Sequence, residues 1–301
     1  LDALVISRTE QLERIKTWQI AFTDHETGIH RTVQDLLWNF AAFQTSAEIV
    51  RRAVAEEGRE PALNQMFFDL IAEGYWSNLL LGTRRLLDKS SLAGPKGVYS
   101  IRSVVKDVKC CQTWLNRKVY VESVHNAQYD IRPLEQQHLS EMRAKGGPVW
   151  GSNEITKSQA AHNYFDALSG VSQNARTPED RIDSDIFDRI ESRLSKLDRI
   201  SEYTSSHIAH AGNRESRIGK TLEDFNLVEA RETLKQIKEV TGFVGLWFAN
   251  EGGAGLATYI GNQFEGLDQP MIPTDEISSL EERWQALDRE IADWSIGATN
   301  L

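Results

Sequence analysis

Apolar residues recur every three to four positions along most of this chain, and that period decides what it can fold into. Side chains at i, i+3, i+4 and i+7 share one helical face, whereas a half-buried strand needs strict alternation. Leu4, Leu12, Ile15, Gln19 and Phe22 mark an opening helix. A second, from about Glu26, sets Ile29, Val33, Leu36, Leu37, Phe40, Phe43, Ala47 and Val50 on one stripe. A third follows Pro61 through Leu63, Phe67, Leu70, Ile71, Trp76 and Leu80 to Leu87. Proline occurs seven times in 301 residues, and alternation is confined to Val119–Val121. The expected fold is all-α, an up-and-down bundle of long antiparallel helices, read as a single domain over 1–301.

Local signals place the remaining elements. Asp88 to Gly97 is a loop, after which Ser100 caps a short helix carrying Ile101, Val104, Val105 and Val108. Asn116 to Gly147 is more polar, a helix that Pro133 kinks or breaks. Gly146 to Asn153 reads as a linker, and Glu154 to Leu168 as a short helix. Thr177-Pro178-Glu179-Asp180 combines a capping Thr, a Pro at the first helical position and acids in the first turn. A helix is therefore expected from there, carrying Ile186, Ile190, Leu194, Leu197 and Ile208. Thr221 to about Phe248 and Thr274 to Trp294 supply the last long helices.

Several function classes drop out. The two cysteines, Cys110 and Cys111, are adjacent, which offers neither a disulfide framework nor a cysteine zinc site and suits a reducing cytosol. The opening LDALVISRTEQLERIK carries charge where a secretory signal needs an apolar run, so a cytoplasmic location is expected. Thr241 to Ile260 is the most apolar stretch, yet Asn250, Glu251 and five glycines make it a buried helix broken near Gly252-Gly253, with no membrane partner. No phosphate-binding glycine loop, nucleophile elbow or zinc-protease motif occurs, and no cofactor is expected.

One constellation stands out, Arg199-Ile-Ser-Glu-Tyr203-Thr-Ser-Ser-His207-Ile-Ala-His210-Ala-Gly-Asn213-Arg214-Glu-Ser-Arg217. If the helix continues past Gly212, Tyr203, His207, His210 and Arg214 form one polar strip beside the buried face. Imidazoles flanked by guanidinium groups suit acid–base work on a phosphodiester. They would also suit a metal given a third ligand from elsewhere. The plainer alternative is a packing His207, a solvent-facing His210 and a helix that ends at Gly212-Asn213.

Charge is unevenly distributed. The formal net charge is −10, which argues against a basic coat, but residues 84–118 hold nine cations against two acids, +7. Residues 189–220 sum to +3 and residues 222–301 to −10. Arg84, Arg85, Lys89, Arg102, Lys106 and Lys109, with Arg214 and Arg217, are thus candidates for holding RNA phosphates. The alternative is that the basic block pairs internally with the acidic C-terminal third.

Two segments carry a resemblance. Trp76-Ser-Asn-Leu-Leu-Leu-Gly-Thr-Arg-Arg-Leu-Leu-Asp88-Lys89, followed by Tyr99-Ser-Ile-Arg-Ser-Val-Val-Lys-Asp107, is one; Ser206-His-Ile-Ala-His210-Ala-Gly-Asn213 is the other. In that order they resemble the abortive-infection branch of the HEPN superfamily, helical bundles of prokaryotic defence loci, over roughly residues 65–220. The resemblance implies an RNA-binding protein of a defence or toxin–antitoxin system. It also implies a homodimeric, metal-independent ribonuclease in which Arg and His of an Arg-x(4–6)-His motif meet at the dimer interface. His210 matches the motif histidine, with His207 beside it. The motif arginine would fall at Tyr203, Thr204 or Ser205, none of which is arginine. Arg199, the catalytic candidate that remains, precedes His210 by eleven residues. That is about 16 Å along one helix, so the two can grip one phosphate only across two copies. A non-catalytic scaffold that binds a partner protein is the competing expectation.

Overall fold

A computed structural model describes residues 6–54, 64–145, 153–210, 212–256, 261–262, 264–266 and 274–293. Leu4, Pro61, Leu63 and nearly all of the Gly146–Asn153 linker lie outside them. The fold is all-α: the described residues hold twelve α-helices and no strand, only an isolated bridge between Asn116 and Arg181. The chain divides into two compact units, Leu1–Ala257 and Thr258–Leu301.

In the first unit α1 (Arg8–Thr23), α2 (Ile29–Val54) and α3 (Gln65–Leu86) are built as their spacing dictates. Ser7 and Glu10 form a capping box on α1, and Ile15, Trp18, Ala21 and Phe22 are buried. α3 lies against α2 so closely that a Cβ on Gly82 would sit 2.7 Å from Leu36 Cδ2. The apolar stripe expected along α3 is buried only in its second half, at Tyr75, Leu79, Leu80, Leu86 and Leu87; Phe67, Leu70 and Ile71 are exposed. α4 (Ile101–Cys110) begins at Ser100, whose Oγ receives the Ser103 amide at 2.9 Å and donates to the Asp88 carbonyl at 2.7 Å. The expected cap therefore also ties α4 to the end of α3.

The Val119–Val121 alternation is not a strand. It belongs to a short helix, α5 (Arg117–Val119), that widens into a π turn over Tyr120–Val124. α6 (Arg132–Lys145) takes Pro133 in its first turn, where the missing amide hydrogen costs nothing. α7 (Asn153–Ser169) follows.

The helix expected from Thr177 does not form there; α8 starts at Asp185. Thr177 and Asp180 do engage reciprocally, with Thr177 Oγ1 donating to Asp180 Oδ1 at 2.6 Å and the Thr177 amide to Oδ2 at 3.0 Å. However, the Pro178 and Asp180 carbonyls that a helix would use internally accept from the Lys118 and Arg117 amides, at 3.1 and 2.9 Å. The Arg117 side chain completes the clamp: fully buried, it donates to Asp180 and Asp166, each at 2.7 Å, and lies over the Phe165 ring. The single helix expected through Ile208 is likewise two, α8 (Asp185–Ser195) and α9 (Asp198–His207), joined at Lys196–Leu197 without loss of the buried stripe Ile186, Ile190, Leu194, Leu197 and Ile200. A four-residue α10 (Arg214–Arg217) and α11 (Leu227–Val244), which runs into a second π turn over Gly245–Ala249, complete the unit. α11 starts after Thr221 because Asn226 caps it, accepting from the Val228 and Glu229 amides. The core gathers α1, α2, α3, α9 and α11 with α4 and α8. Among the described residues of the second unit, a 3₁₀ turn, Thr274–Glu276, leads into α12 (Ile277–Asp293).

Two expectations for stability follow. Removing the buried Arg117 guanidinium leaves the half-buried Asp180 without its ion partner, so Arg117→Met should cost about 3 kcal/mol in urea unfolding. His125, which ends the first π turn, is buried, and burial pushes its imidazole down to about 4 despite a hydrogen bond with Asn250. Above the free imidazole value of about 6.5 both states are neutral; as pH falls below it the unfolded chain takes a proton that the folded chain refuses. Stability should therefore drop between about pH 6.5 and 4, by at most ~3 kcal/mol for this residue, and His125→Phe should flatten that slope in pH-dependent denaturation.

Candidate functional site

The candidate site forms where the carboxyl end of α3, the start of α4 and the outer side of α9 converge. Its keystone is Arg102, buried at 5% exposure. Its Nη1 donates to Asp198 at 2.5 Å and to the Leu87 carbonyl at 3.3 Å, and Nε and Nη2 bind the Glu191 carboxylate at 3.2 and 2.9 Å. One guanidinium thus joins α4 to α8, α9 and the end of α3. Burial raises the affinity of Asp198 for a proton, but Arg102 and Lys89 outweigh it and hold the carboxyl below its ordinary range.

Around this anchor lie three adjoining clefts. One of about 270 Å³ is lined by Arg84, Asp88, Lys89, Ser205 and Lys220 among others. A second of about 350 Å³ shares Lys89 and adds Lys106 and Lys109. A third of about 490 Å³ shares Arg84 and Asp88 and adds Arg85 and Tyr99. Arg84, Arg85, Lys89, Lys106 and Lys109, five of the cations singled out from the sequence, therefore line adjoining clefts. Arg102 sits at their floor with its donors committed to the fold.

The ion pairs show where the charge blocks go. Among the described residues, no ion pair joins the basic stretch 84–118 to an acid of residues 222–256. Its partners are acids of residues 166–198: Lys89 with Asp198, Arg102 with Asp198 and Glu191, Lys109 with Asp188, and Arg117 with Asp166 and Asp180. The second basic block does meet the C-terminal acids, through Arg193–Glu239 and Arg199–Glu229. Among the described residues Arg84, Arg85, Lys106 and Lys220 face no carboxylate within ion-pair distance. Arg84 donates to a hydroxyl and Arg85 to the Thr27 carbonyl. Lys89 and Lys109 are exposed and their pairs weak, so a phosphate can replace the carboxylate at little cost.

The histidine strip is not assembled as the helical geometry expects. α9 stops at His207, and the chain folds back so that the Gly212 amide reaches the Ser206 carbonyl at 3.1 Å. A Cβ on Gly212 would fall 2.6 Å from that same oxygen. Asn213 opens α10 by accepting from the Ser216 amide and so caps a helix start. His210 and Arg214 therefore leave the helix of Tyr203 and His207; His210, Arg214 and Arg217 are exposed and line none of these clefts. Arg199 is held by Glu229 at 2.7 Å, away from the run.

His207 is half-buried and held in place. Its ring stacks on Tyr203 with centroids 4.2 Å apart, and Nδ1 lies 3.2 Å from the Tyr203 carbonyl and 3.0 Å from Ser206 Oγ. The carbonyl only accepts, and the single Ser206 hydroxyl proton is directed at the Glu202 and Tyr203 carbonyls. A bond to that carbonyl needs the hydrogen on Nδ1, the tautomer in which Nε2 keeps a lone pair.

The feature that sequence reasoning missed spans 121 residues: Arg84 Nε of α3 donates to Ser205 Oγ of α9 at 2.8 Å. Ser205 is one of the three positions where the family motif expects arginine. The Arg84 guanidinium reaches that position from the neighbouring helix. Residues 24–247 match the HEPN_AbiU2 family, described as AbiU2. The chain belongs to this abortive-infection-associated, HEPN-like family. The match reaches beyond the 65–220 stretch that carries the motifs and takes in α2 through α11. No curated protein and no solved structure matches the chain. No helix among the described residues is long and apolar enough to cross a membrane, and no three His, Cys, Asp or Glu side chains among them are gathered as a metal would need.

Proposed function

We propose that this HEPN-like protein binds RNA along the run of clefts at the end of α3, and that it cleaves the phosphodiester without a metal ion, as a homodimer in a cytoplasmic defence or toxin–antitoxin system. The observation that carries the reading is the Arg84 guanidinium seated on Ser205, two residues before His207 on the same helix. Arg84, with Arg85, Lys89, Lys106, Lys109 and Lys220, supplies the positive charge that a phosphate backbone requires. Tyr99, half-buried at the rim of the third cleft, offers a face on which a base can stack.

In this reading His207 Nε2 takes the proton of the attacking 2′-hydroxyl. The exposed His210 gives one to the leaving 5′-oxygen, and Arg84 offsets the charge that builds on the phosphoryl oxygens. Bonds balance as a transesterification: the new O2′–P bond forms as the P–O5′ bond breaks, leaving a 2′,3′-cyclic phosphate and a 5′-hydroxyl. Arg199, Arg214 and Arg217, like His210, line none of the clefts of one copy and are assigned here to a phosphate held across two copies.

Fluorescence anisotropy with tRNA or a structured RNA tests the binding half. Affinity should fall steeply with salt, and Arg84→Ala with Lys89→Ala should weaken it about tenfold or more while lowering the salt slope by roughly two. A chain that neither binds nor cuts RNA at low salt would sink the proposal. For the cutting half, His207→Ala and His210→Ala should each slow cleavage about 10²–10⁴-fold with a chelator present. RNA bound tightly but left whole would favour the non-catalytic scaffold.

A further inference from the structure

A fourth cleft, of about 470 Å³, lies between α2 and α3. Arg31, Asp35 and Asn39 recur every four residues along α2, and Asn78, Leu81, Gly82 and Arg85 at three or four along α3, so each helix turns one stripe into it. Leu36 and Gly82 pack closely there, and Leu81, 40% exposed, adds an open apolar face. The cleft shares Leu81 and Arg85 with the third cleft, the one that Tyr99 lines, and so continues the surface assigned to RNA.

Its polar groups set it apart. Asn39 and Asn78 line it, whereas no amide side chain lines the other three clefts. Among the described residues neither amide has a hydrogen-bond partner, so both are open to a ligand. Asp35 receives Arg31 Nε at 3.1 Å, but the two side chains are 48 and 59% exposed, and a surface pair of this kind yields at little cost. An apolar face edged by amides and a carboxylate suits a flat ring that carries both donors and acceptors, which describes a base splayed out of a single strand. Guanine fits this set best. Its Watson–Crick edge offers two neighbouring donors, N1–H and the N2 amino group, which one carboxylate accepts side by side, while O6 and N7 accept from an amide or a guanidinium. Adenine and cytosine present one amino group on that edge, and uracil one N–H.

We propose that the α2–α3 cleft is a subsite for an unpaired guanine base, with Asp35 accepting from N1–H and the N2 amino group and with Asn39 and Asn78 donating to O6 and N7. The proposal rests on the RNA reading above: the base belongs to a strand whose phosphates lie along the adjoining clefts, and Arg85, common to two of them, stands where one passes into the other. Phosphate contacts fix the register of a strand without reading its sequence, so this subsite is what makes the chain selective among RNAs. The same chemistry accepts the base of a free guanine nucleotide, a source that experiment separates from RNA.

Fluorescence anisotropy of the full chain with short oligouridines tests the proposal, their central position being guanosine, adenosine, cytidine or uridine. The guanosine strand should bind about tenfold tighter than the other three. Asp35→Ala removes a surface negative charge, so it should tighten all four modestly and alike while abolishing the preference for guanosine. Asn39→Ala with Asn78→Ala should lower that preference about three- to tenfold. The ratio between sequences is a readout that a change in net charge or in folded fraction does not move. Strands bound without preference for guanosine, or a preference that survives Asp35→Ala, overturn the guanine subsite and leave the RNA reading standing. If no oligonucleotide binds, guanosine monophosphate decides the cleft. Saturable binding lost in Asp35→Ala keeps the guanine site with a free nucleotide as its source, and no binding overturns it, while tRNA binding decides the RNA reading separately.

Discussion

A guanidinium sealed inside a helical bundle must find carboxylates and carbonyls for its donors, or its burial is prohibitive. Arg102 meets that condition by drawing together the end of α3, the start of α4, Glu191 of α8 and Asp198 of α9. The candidate site is laid over this knot. Arg84, Arg85 and Lys89 leave α3 within a turn of Leu87, whose carbonyl Arg102 holds, and Ser205 lies two turns along α9 from Asp198. Arg117 plays the equivalent part on the far side of the sequence, fastening α5, α7 and the turn before α8. Arg102 lies at the floor of the surface run of cations and Arg117 outside it, yet both decide which elements can carry it.

Periodicity made the helices legible, because the apolar stripes of α1, α2, α4 and α8–α9 are the faces that the core buries. What it could not convey was competition for backbone groups. Thr177 through Asp180 has the chemistry of a helix start, and Asp180 does receive Thr177, but Arg117 and Lys118 take the carbonyls that would have extended it. The same limit applies at His207. Gly212 and Asn213 announce an ending, but only the folded chain shows the break five residues earlier, with Asn213 serving the next helix instead.

Summed charge misled in a similar way. The +7 of residues 84–118 is a linear count, and folding divides it into cations spent on Asp166, Asp180, Asp188, Glu191 and Asp198 and cations left facing water. Arg102 and Arg117 contribute to the count and nothing to an outer field. Arg84 and Arg85 contribute to both. Sequence reasoning named the stretch but could not tell which of its cations folding leaves without a carboxylate, since that depends on acids from far along the chain.

The bond between Arg84 and Ser205 has a mechanical meaning. A guanidinium and an imidazole on one helix are fixed by its rise and pitch and move as one body. Here they sit on α3 and α9, coupled by packing and by the contact from Thr204 Oγ1 to the Leu80 carbonyl at 3.4 Å. Their separation is thus set by how two helices pack. A displacement of α9 by a single residue's rise, about 1.5 Å, parts Arg84 from Ser205 while leaving both helices intact. The spacing that a one-helix motif fixes by its own pitch becomes, in this chain, a matter of tertiary packing.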